Sequence, residues 1–174
     1  MRHLSVIAVC LLAACEGPVS PPPSTPLLNG APPEHAVAQS VKGGAHRWSG
    51  GAPFILSVQA NKRTDGSVSG SYHVDVKALN ASFDVTVTCL SVVGNHAWIG
   101  GIVRDSNTPL VAAGTSSYFY VIDTGEGSIG AIQLDIISGL RLNDTPGNEL
   151  TFCADQSLTL PSRRIDDGNV QVRG

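Results

Sequence analysis

The sequence predicts an all-β domain: a small antiparallel β-barrel of about eight to ten short strands, with a β-sandwich as the alternative. Apolar and polar residues alternate along several stretches, which is the pattern of a half-buried strand. Turn-forming Gly, Asn and Asp separate these stretches, and no stretch keeps a helical period beyond a turn or two. A barrel is favoured over a sandwich because closure removes exposed strand edges.

The first predicted strands form a meander. Alternation runs through residues 54–61, 68–76 and 82–89, and it places Cys89 on the same face as Val87. Asp65 and Gly66 lie between the first two stretches, and this pair is a strong hairpin signal.

A second group of predicted strands follows. Residues 90–93 and 96–103 flank a turn at Gly94 and Asn95, and Gly100 and Gly101 predict a bulge, a bend or a close backbone approach. Further strands are predicted at residues 117–123, 131–137, 150–153, 158–160 and 169–172.

The start of the chain has the anatomy of an export signal. A cationic start precedes an apolar run, residues 4–14, which is shorter than the roughly 20 residues of a transmembrane helix. The run ends in Leu12, Ala13, Ala14 and Cys15, which resembles the lipobox of bacterial lipoproteins. An ordinary secretory signal is the alternative.

The lipobox resemblance implies cleavage before Cys15, lipidation of its thiol and anchoring in membrane lipid, which places the domain at the cell envelope. Two or more acyl chains anchor a protein stably. Glu16, rather than Asp, follows the cysteine, and in a two-membrane bacterium this favours the outer membrane.

Three segments follow from these features: a signal peptide at 1–14, lipidated Cys15 with a Pro-rich disordered tether at 15–42, and an all-β domain at 43–174. The tether holds seven of the eleven prolines and no Phe, Tyr or Trp, so it cannot bury a core. Its extended polyproline character predicts a spacer between membrane and domain.

The balance of charged residues restricts the classes of partner that the chain is expected to bind. Once Arg2 is removed with the signal, ten Lys and Arg remain against fourteen Asp and Glu, without a basic cluster. Because nucleic-acid binding depends on neutralising phosphates, a nucleic-acid partner is not expected.

Cysteine use fits an oxidising compartment. Cys10 leaves with the signal, and the domain keeps Cys89 and Cys153, which predict one disulfide. Two free buried thiols are the alternative. Neither cysteine has a metal-ligand spacing.

Most of the domain resembles a recurrent pattern of uncharacterised exported bacterial proteins. The resemblance rests on residues 65–70, 87–101, 123–127 and 168–172. It implies an exported all-β fold and carries no known activity.

Candidate chemistry is sparse. His46, His73 and His96 could form a zinc site in principle, but they lack ligand spacing, so no metal or cofactor is expected. The 123–127 loop does not meet the calcium-loop pattern and predicts a hairpin turn. No nucleophile elbow is present, because Val68 stands where its serine would be.

Three carboxylates, Asp75, Asp84 and Asp135, fall on polar strand faces, where exposure to water is the favoured interpretation and an acid/base pair the alternative. Speculative ligand-binding residues are Trp98, Tyr72, His73, Asp75 and Asp84.

The favoured hypothesis is a lipid-anchored, non-enzymatic module that binds a small apolar ligand or an envelope protein. A purely structural envelope component is the first alternative. An enzyme built on strand-borne carboxylates with His73 is less favoured.

Overall fold

The computed structural model describes residues 36–49, 51–125, 134–143 and 145–174. The predicted all-β fold is confirmed: the described residues are mostly strand, and one strongly curled antiparallel sheet forms a half-barrel. The signal peptide, Cys15 and most of the tether lie outside the described residues, as do residues 126–133.

The strands in the described ranges are β1 Val37–Ser49, β2 Ala52–Arg63, β3 Val68–Val76, β4 Ala81–Val93, β5 His96–Ser106, β6 Ser116–Ile122, β7 Ile136–Ser138, β8 Arg141–Asn143, β9 Ser162–Arg164 and β10 Asp167–Arg173. A 3-10 turn, Lys77–Leu79, joins β3 to β4, and one α-helix, α1 Asn148–Asp155, precedes β9.

Sheet order is β10-β1-β2-β3-β4-β5-β6-β7-β9, and β8 also pairs with β6. The predicted meander and its two turns are confirmed, since β1 to β6 are neighbours in chain order. Gly66 and Gly94 occupy the turns with φ of 83° and 60°, values that an L side chain disfavours. β1 begins at Val37, inside the segment predicted as tether, because the chain pairs with β2 from Val37 and also with β10 from Ser40.

A bulge in β4 accounts for the two mid-strand glycines. Val87 pairs with Gly101 and Cys89 pairs with Gly100, so Thr88 is an extra residue on β4. The insertion reverses the alternation of side chains. The prediction that Cys89 shares a face with Val87 is therefore wrong: Val87 packs inside the sheet and Cys89 outside it.

Two hydrophobic cores lie on opposite faces of the sheet. The larger core fills the inside of the curl, where Tyr72 and Phe119 meet edge to face with ring centroids 5.1 Å apart. The smaller core lies between α1 and the outer face of β4, β5 and β6, and it contains Cys89, Trp98, Tyr120, Phe152 and Cys153.

The strand predicted at 150–153 is wrong, because these residues belong to α1. Glu149, Phe152 and Cys153 are buried at helical spacing, whereas Leu150 is 51% exposed. An eight-residue helix is too short to show a clear period in the sequence. Within the described residues, no helix has the length and apolarity needed to cross a membrane.

The strand predicted at 158–160 is also absent. The backbone of residues 157–160 instead accepts hydrogen bonds from side chains of the outer core. The Trp98 indole donates to the Ser157 carbonyl at 3.0 Å, and the Tyr120 hydroxyl donates to the Leu160 carbonyl at 3.1 Å. The strands predicted at 117–123 and 169–172 are confirmed as β6 and β10. Of the strand predicted at 131–137, residues 136–137 lie in β7 and residues 131–133 fall outside the described ranges.

The predicted disulfide is confirmed: Cys89 and Cys153 are bonded and fasten α1 to β4. The bond closes a sequence separation of 64 residues. Cross-linking a loop of that size stabilises a fold by about 4 kcal/mol in the chain-entropy account.

Candidate ligand-binding pocket

One end of the half-barrel carries an apolar pocket of about 460 Å³. This volume lies within the range of roughly 300–1,000 Å³ that small-molecule sites occupy. Its lining is Arg47, Ala52, Pro53, Phe54, Val76, Ala78, Leu79, Ala81, Phe83, Leu110, Val111, Gly139, Leu140 and Leu142. Thirteen of these fourteen residues are uncharged, and all thirteen are apolar or glycine.

The pocket lies where several elements begin or end. β1 and β2 supply the turn region around Arg47 and Phe54, and the 3-10 turn Lys77–Leu79 lies between β3 and β4. The loop between β5 and β6 brings Leu110 and Val111, and the β7–β8 connection completes the lining. The pocket is therefore assembled from strand ends rather than from the packed interior of the sheet.

Leucine side chains at the pocket remain unusually accessible. Leu79 is 61% exposed, Leu110 is 72% exposed and Leu142 is 37% exposed. A single exposed leucine is ordinary on a protein surface, but grouped exposed apolar side chains mark a binding surface.

The loop that carries Leu110 is held to the sheet. The Asn107 side-chain oxygen accepts from the Ser82 amide at 2.7 Å, and the Ser82 carbonyl accepts from the Asn107 amide at 3.0 Å. Farther along, the Thr115 carbonyl accepts from the Val103 amide at 2.9 Å. These bonds fix both ends of the loop to neighbouring strands, so the loop holds Leu110 in place at the pocket.

Arg47 is the pocket's one charged lining residue. Its guanidinium carbon lies 5.2 Å from the centroid of the Phe54 ring, a cation–π distance. Its Nε is buried and makes no hydrogen bond within the described part of the chain. Burial lowers the pKa of Arg47 and the nearby Arg163 lowers it further, while Asp166 opposes both effects. The guanidinium nevertheless stays protonated, because its delocalised charge keeps arginine protonated in proteins.

The five speculative ligand-binding residues do not share one site: Tyr72, His73 and Asp84 line one groove, Trp98 and Asp75 do not, and none of the five lines the apolar pocket. Tyr72 lies in the inner core and Trp98 in the outer core, where both are almost fully buried. These two aromatic side chains serve packing in the described structure.

His73 and Asp84 do come together. Nδ1 of His73 lies 3.0 Å from a carboxylate oxygen of Asp84, and their side chains are 44% and 39% exposed. They border a shallow groove of about 410 Å³ on the outer face of the sheet. Ser57, which the sequence did not single out, also lines this groove and is opposite His73 in the β2–β3 register. Asp75 instead pairs with Lys77 at 2.5 Å.

The expectation that Asp135 faces water is wrong. Asp135 is 3% exposed, and its carboxylate accepts from the amides of Val170 at 2.7 Å and Thr124 at 3.0 Å. A second buried carboxylate, Glu149, escaped the sequence analysis because it lies in the unpredicted helix. It accepts from the Ser116 hydroxyl at 2.5 Å and from the Gly147 amide at 3.0 Å, so it joins α1 to β6.

The histidines are dispersed: His46 contacts Trp48 and His96 stacks on Trp98, with ring centroids 5.6 Å and 5.9 Å apart. In the ranges that the structure describes, no three or more His, Cys, Asp or Glu side chains are grouped to hold a metal ion.

The sequence did hold one signal for the missed pocket. Leu79 and Leu110 stand in short turn segments, beside Asn80 and Pro109, where an apolar side chain has no strand face to join. Apolar residues in turns therefore point to a surface site more directly than the alternating strand residues do.

Comparison of the chain with protein-family models, with characterised proteins and with solved structures found no match.

Proposed function

We propose that this chain is an exported lipoprotein, anchored through Cys15, whose β-domain binds a small apolar molecule at the pocket without transforming it. The observation that carries the binding role is the apolar pocket itself, with thirteen uncharged lining residues and accessible leucines. The lipobox-like residues and the disulfide support export, because disulfides form in oxidising compartments.

A binding role without catalysis agrees with the positions of the polar side chains that could act as acids or bases. The His73–Asp84 pair is on the outer face of the sheet and does not line the apolar pocket. A ligand in the pocket would meet apolar surface and one arginine, which is a recognition site rather than a set of acid, base and nucleophile.

Binding is tested with the neutral apolar dye N-phenyl-1-naphthylamine, whose fluorescence rises in an apolar site. The protein is the mature chain 16–174, exported behind a cleavable signal without a lipidation cysteine, so that neither detergent nor its own acyl chains compete. Ala78→Trp adds a large side chain at the pocket lining and is expected to weaken dye binding about tenfold or more.

The matched control is Ala154→Trp, which makes the same change at an exposed site on α1, outside the pocket lining. It is expected to bind the dye like the parent chain. Equal dye affinity in both tryptophan variants, or no saturable binding by the parent, would contradict the proposed pocket.

The anchor is tested separately on the full-length chain in its host. The mature protein is expected to partition into detergent and to carry the added mass of diacylglycerol and an acyl group. Cys15→Ser is expected to abolish both properties. A mature protein that begins at another residue and has no added lipid would instead indicate an ordinary secretory signal.

A further inference from the structure

We propose that the pocket's ligand is an anionic amphiphile, a single apolar chain ending in a carboxylate, and that Arg47 binds the carboxylate. This inference rests on the proposed function and specifies the ligand class of the same pocket. Three features favour a long-chain carboxylate: the positive charge at the pocket, the Arg47 Nε that has no acceptor, and the apolar lining.

The charge at the pocket is positive. Arg47 is the one charged residue among those that line it, and Arg163 is close enough to act on it electrostatically. Asp166 is the opposing charge: its carboxylate, which accepts a hydrogen bond from the Trp48 amide at 2.6 Å, offsets one of the two guanidinium charges. An anion entering the pocket would therefore meet a net excess of positive charge.

The buried Nε of Arg47 supplies the second argument. A buried donor without an acceptor is unfavourable, and a ligand carboxylate could accept from it. Nε and a neighbouring Nη form the fork that carboxylates bind with two parallel hydrogen bonds.

Phe54 leaves these donors available. A cation held over an aromatic face is attracted by the ring quadrupole and spends no N–H group in the contact. Phe54 thus holds the guanidinium carbon at 5.2 Å while the donors remain for a ligand.

The rest of the lining fits the other half of the molecule. From Arg47 the pocket continues over Phe83, Val111 and Leu140, which offer no charged or hydrogen-bonding side chain. An alkyl chain satisfies such a surface by burial alone. A neutral alcohol would leave the Arg47 guanidinium without a counter-charge, and the same guanidinium would repel a quaternary ammonium group.

The inference is tested by displacing the naphthylamine dye with three probes that share a twelve-carbon alkyl chain, each kept below its micelle or solubility limit: laurate, 1-dodecanol and dodecyltrimethylammonium. With the parent mature chain, laurate is expected to displace the dye at a concentration about tenfold lower than dodecanol, and the ammonium probe to be weakest.

Arg47→Met keeps an apolar side chain but removes the guanidinium. It is expected to weaken laurate about tenfold and to change dodecanol by no more than about twofold. Arg104→Met, at an exposed site outside the pocket lining, is the matched control and should retain the parent's preference for laurate. Arg47→Lys keeps the positive charge and should retain laurate above dodecanol even if Arg47→Met folds poorly.

Equal displacement by laurate and dodecanol in the parent chain would overturn the anionic ligand while leaving the apolar pocket intact. A laurate preference that survives in Arg47→Met would overturn the role of Arg47. If no probe and no dye bind, the proposed function itself fails, so the two failures are distinguishable.

Discussion

The carboxylate of Asp135, which precedes β7, accepts a hydrogen bond from the backbone amide of Val170 in β10 at 2.7 Å. Asp123, immediately after β6, accepts from the Val172 amide in the same way at 2.8 Å. β10 pairs with β1 along its other edge. Two carboxylates therefore receive amides on the side of β10 that β1 leaves open, and they link the two ends of the curled sheet.

Replacing Asp135 with Asn is expected to lower the free energy of unfolding by about 1–3 kcal/mol. The amide side chain keeps one acceptor but turns an –NH₂ group toward one of the two backbone amides that the carboxylate serves. Urea unfolding measures the change, with the exposed Asp155→Asn on α1 as the control. A variant as stable as the parent would show that this link does not stabilise the sheet.

Gly100 is expected to tolerate no side chain. A Cβ at this position would lie 2.7 Å from Cβ of Glu149 and 2.8 Å from Sγ of Cys89. Gly100→Ala should destabilise the domain by roughly 1–3 kcal/mol, since α1 or β4 must shift. The control, Gly139→Ala, places its Cβ at an ordinary 3.6 Å from the nearest atom outside its neighbours. Equal melting temperatures for the two variants would contradict the close packing of α1.

Tyr72 is expected to make the fold sensitive to alkali. Burial raises the pKa of its phenol above the ordinary value of 10.0, and Glu149 raises it further, although Ser117 partly opposes the shift. Below pH 10 the phenol is neutral in both states, so its contribution is fully present. Above pH 10 the unfolded chain releases the proton and the folded domain retains it, so stability falls by up to about 1.4 kcal/mol per pH unit.

Tyr72→Phe should remove this contribution and flatten the decline. The comparison is the free energy of unfolding in urea at pH 7 and at several values above pH 10. At pH 7 the variant should lose little stability, because the Tyr72 hydroxyl has no hydrogen-bond partner of good geometry among the described residues. Parallel alkaline declines in the two proteins would contradict the shift.

Removal of the disulfide is expected to lower the unfolding free energy by about 4 kcal/mol without abolishing dye binding. The Cys89→Ala, Cys153→Ala double variant and the chemically reduced parent should agree, because both release the same loop. No residue of the outer core lines the apolar pocket, so the naphthylamine affinity should be retained. Loss of dye binding in a reduced protein that remains folded would show that the disulfide-bonded outer core and the apolar pocket are coupled, contrary to this prediction.

β2, β3 and the first half of β4 could be predicted because each has one buried and one polar face, whereas β1 was not predicted. β3 is the clearest case, with Tyr72 and Val74 inward and His73 and Asp75 outward. The short helix could not be predicted, since Phe152 and Cys153 suit a strand equally well by type. The bulge at Thr88 was signalled only indirectly, by glycines on the partner strand.

The pocket was harder to predict than the sheet. Its lining comes from five separate stretches of the chain, and no local pattern records which strand ends meet. Arg47 illustrates the difficulty: the sequence pattern predicted no strand at residues 43–49, and the charged groups that act on Arg47, Arg163 and Asp166, come from far along the chain. The expectation that Asp135 faces water failed for the same reason, because its partner Val170 arrives from the last strand.

β1 also gives the domain a mechanical polarity. Val37 and Arg47 lie on the same strand, roughly 30 Å apart at the usual rise per residue. Force applied to the segment before Val37 would therefore be transmitted along the β1 backbone without crossing a hinge. This backbone is paired with β2 on one side and, from Ser40, with β10 on the other. Both ladders would be strained in shear, with many hydrogen bonds sharing the force at once, so a domain held by that segment could bear tension while its pocket at the far end stays assembled.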